Sequence, residues 1–281
     1  MPYPTVPGPY GLKPINLIGG QVFAGSTREL PIQYGYATNI FYGDFVVLSR
    51  GFATRAAVST GTGSNQVTGI FLGCSFTNPV NKQKTFSQYW PASTLAGDAV
   101  AIVCDDPDTV FKAVVCSSGT TVASGGLALI GTNLSMIDNS TGNVNTGDST
   151  NAVLAPTATP VTSILPVRCV GVVPDTSYSF TATGSSSSTT ITLTGTGTPQ
   201  AIPVGASIGY LASNGQLINT GSFVSSAATA GATSVTINSA IAVPGAVTAI
   251  PSSSTVVFTV YPEILVKMNL LVHGYYSSTT A

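Results

Sequence analysis

Residues 41–57, FYGDFVVLSRGFATRAA, read as two short strands around a turn. The same pattern repeats along the chain in VTGIFLG, AVAIVC, TVFKAVV, LPVRCVGVV, TTITLTG, TSVTINSA, TVVFTV and EILVKMNLLV. Each is a short run rich in Val, Ile, Thr, Tyr and Phe, bounded by Gly, Pro, Asn, Asp or Ser, which is the strand-and-turn signature. Helix signals are scarce: the chain has five Lys and two Glu against 30 Gly and 18 Pro, and no long stretch spaces its apolar residues by three and four. The expected fold class is all-β, a barrel or sandwich core domain with an extended Pro-rich N-terminal arm and an inserted small β-sandwich module.

The opening stretch holds three of the 19 charged side chains in 281 residues. Charged residues make up 7% of the chain, against about 25% in an ordinary globular protein. Hydrophobic residues still make up 43%, which argues against disorder, since disordered chains combine low hydrophobicity with high net charge. A net charge of −1 gives no steering towards nucleic acid or anionic lipid. No run approaches the roughly 20 apolar residues of a membrane-spanning helix, so no membrane partner is expected. The start, MPYPTVPGPYGLKP, lacks a basic region followed by an apolar run, so no signal peptide is expected. Cys74, Cys104, Cys116 and Cys169 sit in apolar strand-like runs without a CxxC spacing, which reads as buried free thiols and not as the disulfide framework of a small secreted chain.

Three zones differ in composition. Residues 1–35 carry Pro2, Pro4, Pro7, Pro9 and Pro14; proline fixes φ and lacks an amide donor, so this zone is expected to be an extended arm. Residues 36–176, completed by a last strand within 256–276, are expected to form the core domain. Residues 177–255 are expected to be an inserted module. From Thr176 to Pro262 there are 87 consecutive residues without Asp, Glu, Lys or Arg. Within them, TTITLTG (189–195) and TSVTINS (233–239) read as an internal echo of one β unit.

The search for catalytic chemistry is mostly negative. His273 is the only histidine, too little for a Ser-His-Asp or Cys-His arrangement without partners or for a clustered zinc site. The glycine-rich GTGTP and GTGSN follow neither phosphate-binding pattern. CDDPD places Asp105, Asp106 and Asp108 within four positions, a weak calcium candidate, although Pro107 and carboxylates capping exposed amides equally make a turn between strands. No cofactor is expected. The aromatics Tyr34, Tyr36, Phe41, Tyr42 and Phe45, with FSQYW (86–90) and its lone Trp90, suit a core or a contact surface. The candidate partner interface is Pro4, Pro7, Pro9 and Tyr10 of the arm together with Tyr34, Tyr36, Phe41 and Tyr42.

The succession YGDFVVLSRGFATRAAV…VTGIFLGCSFT…GDAVAIVCDD, a strand headed by Gly-Asp, a hairpin, a GIFLG strand and a second Gly-Asp strand, resembles head decoration (cement) proteins of tailed bacteriophages, particularly those of marine and cyanobacterial phages. The likeness covers roughly residues 10–175 and the last strand; the neutral insert looks more like Ser/Thr/Gly-rich modules of phage and bacterial surface proteins. The resemblance implies a non-enzymatic protein on the exterior of the virion capsid, often a homotrimer, whose partners are the major capsid protein and further copies of itself. The arm would then be a strap that adds to an open sheet edge. A tail or fibre protein that binds surface glycans is the alternative. A coat protein would need a long spine helix, which the periodicity does not supply, and a polysaccharide hydrolase would have to use the CDDPD carboxylates.

Overall fold

Thr109–Ser118, TVFKAVVCSS, is the longest strand, and most of it is buried on both faces, as expected for a near-continuous apolar run. In the computed structural model, which describes residues 6–17, 20–57, 67–155, 165–186, 188–239, 241 and 249–269, this strand is the spine of the first of three sheets. The sheet runs Asn133–Leu134, Val167–Val172, Glu263–Met268, Thr109–Ser118, Ala152–Leu154, Met136–Ile137. Its two ends are separated in the chain by Ser135 alone, so the path closes on itself as a barrel. Lys13–Leu17 and Thr121–Val122 also pair with the spine strand. The interior is filled by Phe111, Val115, Met136, Val153, Val167 and Ile264, all nearly inaccessible.

The second sheet takes residues 28–104, in the order Arg28–Pro31, Val100–Cys104, Gly69–Thr77, Phe45–Ser49, Phe52–Arg55, with Lys84–Ser87 on the free part of Gly69–Thr77. The opening stretch 41–57 is the antiparallel pair Phe45–Ser49 and Phe52–Arg55, turned at Arg50 and Gly51. Its core holds Val46, Phe71, Phe76, Val103 and Trp90; the indole packs edge-on to Phe76 at 5.4 Å. The expected core domain thus contains two sheets: the second has a cluster of its own, while its Phe45, Ile70 and Cys104 belong to the core of the first.

The neutral segment forms the third sheet, Leu217–Phe223, Ser207–Leu211, Ser254–Val260, Tyr178–Ser186, Thr190–Leu193, Ser234–Thr236. Its outer strands meet through the Val224–Ile237 bridge and the Ser225 amide on the Thr236 carbonyl at 3.0 Å, so the sheet is a nearly closed barrel around Ile191, Ile208, Val235, Val256 and Phe258. Two expectations shift here. TTITLTG and TSVTINS are not copies of a unit but neighbouring strands that pair Thr190 with Thr236 and Ile191 with Val235; both alternate because each has one face inward. Ser254–Val260 lies between Ser207–Leu211 and Tyr178–Ser186, so the expected boundary at 255 falls inside a strand of the neutral barrel. Among the described residues after 255, Glu263–Met268 is the strand that returns to the first barrel, and the return of charge at Glu263 is the better marker of the change.

The arm also differs from expectation. Lys13–Leu17 and Arg28–Pro31 are strands of the first and second sheets, so the described part of the arm is built into two sheets, with residues 6–12 and 20–27 outside their strands apart from the Asn16–Val22 bridge. Leu12 is fully buried, and its amide bonds the Gly43 carbonyl at 3.1 Å. The crossing at Gly11 and Gly43 needs both glycines: each has φ in the left-handed region, and a Cβ on Gly43 would lie 2.6 Å from the Leu12 nitrogen.

Candidate functional site

The charged groups are held mainly by one another. Asp44, the aspartate of the opening stretch, is fully buried at the head of its strand. Its carboxylate accepts from the Phe41 amide (2.9 Å), the Ser149 hydroxyl (2.6 Å), the Asn151 side-chain amide (2.9 Å) and Arg55 Nε (3.3 Å). Arg55 also donates to Asp138. Burial pushes the Asp44 carboxyl above its ordinary value, while Ser149, Phe41 and Arg55 act the other way. Burial opposes the Arg55 charge too, but Asp44 and Asp138 outweigh it and raise this group. The cluster ties the second sheet to the 138–151 loop of the first barrel.

A second cluster pins the arm. The Tyr10 hydroxyl donates to Glu263 Oε1, and Lys112 Nζ lies 3.3 Å from the same oxygen. Lys13 Nζ sits 4.7 Å above the Tyr10 ring and 3.1 Å from Asp148. Burial first, and then the Glu263 carboxylate, push the Tyr10 phenol far above its ordinary value. Glu263, Lys112 and Asp44 were not among the sequence candidates. The available signal was a charge set inside an apolar run, PEILV, VFKAV and GDFVV, in a chain with few charges to place.

The candidate interface residues do not form one surface. Phe41 is corrected to a core residue: it is 3% exposed and stacks on Tyr89 at 5.5 Å. Tyr36 is half-buried; its hydroxyl accepts the Arg55 amide at 3.0 Å, and its carbonyl accepts Trp90 Nε1 at 3.3 Å. Tyr42 is half-buried with Lys13 Nζ 5.8 Å from its ring centre. Tyr10 and Pro9 are half-buried along the arm, and Pro7 is exposed. Tyr34, 60% exposed, presents an open aromatic face. Pro4 and His273 lie outside the described residues.

The CDDPD carboxylates are directed apart. Asp105 bonds Arg28 at 2.9 Å, Asp106 accepts the Asp108 amide at 2.9 Å, and Asp108 stands 3.8 Å from Lys267. This is the turn geometry, and no cluster suited to a metal occurs among the described residues. All four cysteines are free and buried. Burial pushes the Cys74 thiol up to about 12 and those of Cys116 and Cys169 up to about 11; thiols so far from thiolate are poor nucleophiles.

The joint between the first and neutral barrels is made by backbone amides that donate to a carbonyl and to two serine hydroxyls. The Ser124 amide bonds the Val204 carbonyl (2.9 Å), the Tyr261 amide bonds Ser124 Oγ (2.9 Å), and the Leu127 amide bonds Ser207 Oγ (2.9 Å). Val204 and Phe223 reach from the neutral barrel into the first core. Beside the joint opens an apolar groove of about 610 Å³ whose wall includes Val6 of the arm. The chain matches no protein-family model and no curated protein.

Proposed function

We propose that the chain is a non-enzymatic structural protein of a virion, a homotrimer that binds the outer surface of a tailed-bacteriophage capsid and cements its major capsid protein subunits. The observation that carries this reading is the disposition of charge. Seven of the ten acidic and six of the nine basic side chains are in ion pairs within the chain, and the 178–260 barrel has no charged residue at all. A freely dispersed protein relies on net surface charge for colloidal stability. A protein held in an assembly can instead use Ser, Thr and Asn surfaces for standing contacts. Because the arm is held on its own body from Tyr10 onward, the reading assigns the coat contacts to the neutral barrel and to exposed apolar residues such as Tyr34, Val80 and Phe86.

Sedimentation with coat-protein shells from the same source tests the proposal. The chain alone should run as a discrete trimer, and it should pellet with the shells at a fixed ratio. Large closed particles formed by the chain alone would make it a coat protein. Binding to surface glycans without binding to shells would make it a tail or fibre protein.

A further inference from the structure

The chain carries an apolar projection in one place and an apolar recess in another. The projection is the hairpin in which Lys84–Ser87 pairs with the far half of Gly69–Thr77, its one strand neighbour among the described residues. Phe86 stands on this outer strand 76% exposed. Lys84 shares its face, since alternate residues of a strand point the same way, but its ammonium is paired with Asp98 at 3.0 Å. The recess is the groove of about 610 Å³ beside the joint. Val122 and Pro262 line it from the first barrel and the link leaving it; Tyr178, Ile202, Pro203 and Ala228 line it from the neutral one. No charged side chain lines it.

We propose that the groove of one copy takes Phe86 of a second copy, so that the homotrimer is a head-to-tail ring. The inference rests on the trimer proposed above and narrows its contacts: the Phe86 hairpin serves the contact between copies, and Tyr34 and the outer surface of the neutral barrel remain for the coat. Phe86 is not among the residues that line the groove of its own chain, and a ring left 76% exposed has most of its apolar area still to bury. The uncharged wall selects such an occupant. A charged group would lose its hydration there without an ion partner, whereas an aromatic side chain gains by leaving water. The groove volume lies within the about 300–1,000 Å³ of pockets that enclose a small ligand, enough for one aromatic ring and part of the strand that carries it. Because projection and recess are different patches, the contact is heterologous: each copy gives one and receives one, and the series closes as a ring or runs on as a filament. A trimer is the closed case.

Sedimentation velocity of the full chain, of Phe86→Asp and of Ala227→Arg tests this, with circular dichroism to confirm that each variant is folded; both positions are exposed, and Ala227 lines the groove. The wild-type chain should run as a trimer, and in either variant the concentration at which half the chains are assembled should rise at least about tenfold, as expected for loss of a central aromatic anchor. A trimer undiminished in either variant would overturn the Phe86 contact and leave the trimer standing, whereas a wild-type monomer would overturn both. Filaments that Phe86→Asp abolishes would support the contact and overturn the trimer. Photo-crosslinking of the full chain carrying Phe86→p-benzoylphenylalanine keeps an aromatic ring at the position and reads the contact directly. Adducts on Tyr178, on residues 200–203 or on residues 227–229, in a species of two-chain mass or larger, are the expected result. Adducts confined to one chain, or joining chains at other residues, would overturn it.

Discussion

Replacing Asp44 with alanine removes the acceptor for four donors at once. Ser149 and Asn151 are 1% and 2% exposed, so their donors are left buried without this partner, at about 1–3 kcal/mol for each unsatisfied group. Arg55, whose side chain is 7% exposed, keeps Asp138, which limits the loss below the about 3–5 kcal/mol of a buried pair broken outright. The carboxyl is itself held above its ordinary value by burial, so part of its own desolvation is relieved on removal. The balance is a destabilisation of about 2–4 kcal/mol. At about 2–4 °C per kcal/mol for a chain of this size, the melting temperature should fall by about 5–15 °C. Thermal unfolding followed by circular dichroism reads this, with Asp98→Ala as the control. Asp98 also follows a glycine at the head of a strand pair and accepts from the Thr77 amide (2.9 Å), the Thr77 hydroxyl (2.7 Å) and Lys84 (3.0 Å), but it is exposed, so water can replace it there and its loss should lower the melting temperature much less than that of Asp44. Equal shifts in the two variants, or a loss below about 0.5 kcal/mol for Asp44→Ala, would refute the reasoning that Asp44 braces the second sheet against the first barrel.

Gly205→Ala should weaken the joint between the barrels: φ is +83° there and a Cβ would lie 1.9 Å from the Ser124 carbonyl oxygen, a strain of about 1–3 kcal/mol or more. Limited proteolysis should then cut near residues 124–127 or 203–206, and an unchanged digestion pattern would count against the joint as described. Tyr10→Phe removes the hydroxyl that bonds Glu263, at about 1.5–3 kcal/mol for a bond to a charged group, and should speed hydrogen exchange at the Gly11 and Leu12 amides while leaving the neutral barrel unaffected. The thiols of Cys74, Cys116 and Cys169 titrate higher folded than their ordinary value of 9.0. The folded state therefore keeps protons that the unfolded state releases, so their contribution is complete below pH 9 and is lost as pH rises towards 11–12. Denaturant midpoints should decline from pH 9 upward, and a midpoint flat to pH 11 would contradict the burial of these groups.

The strands were legible because each carries its own evidence: Val, Ile, Thr and Phe in short runs between Gly, Pro and Asn specify a pleated segment with one or two buried faces whatever it pairs with. The neutral segment was also legible as a unit, because the edges of its uncharged composition nearly coincide with its sheet. Pairing was not legible. TTITLTG and TSVTINS look alike and are partners, and Ser254–Val260 completes the neutral barrel though it adjoins the strand that returns to the first. Strand partners lie far apart in the chain, and hydrogen bonding between backbones carries no side-chain label. The two Gly-Asp strand heads make the limit plain. The sequence by itself determined an all-β chain of low charge whose cysteines are free and buried. Only the tertiary structure decided that Asp44 is a buried brace and Asp98 a surface group, and that Tyr10 meets Glu263 across most of the chain, because burial and partners arise from where distant strands close into barrels.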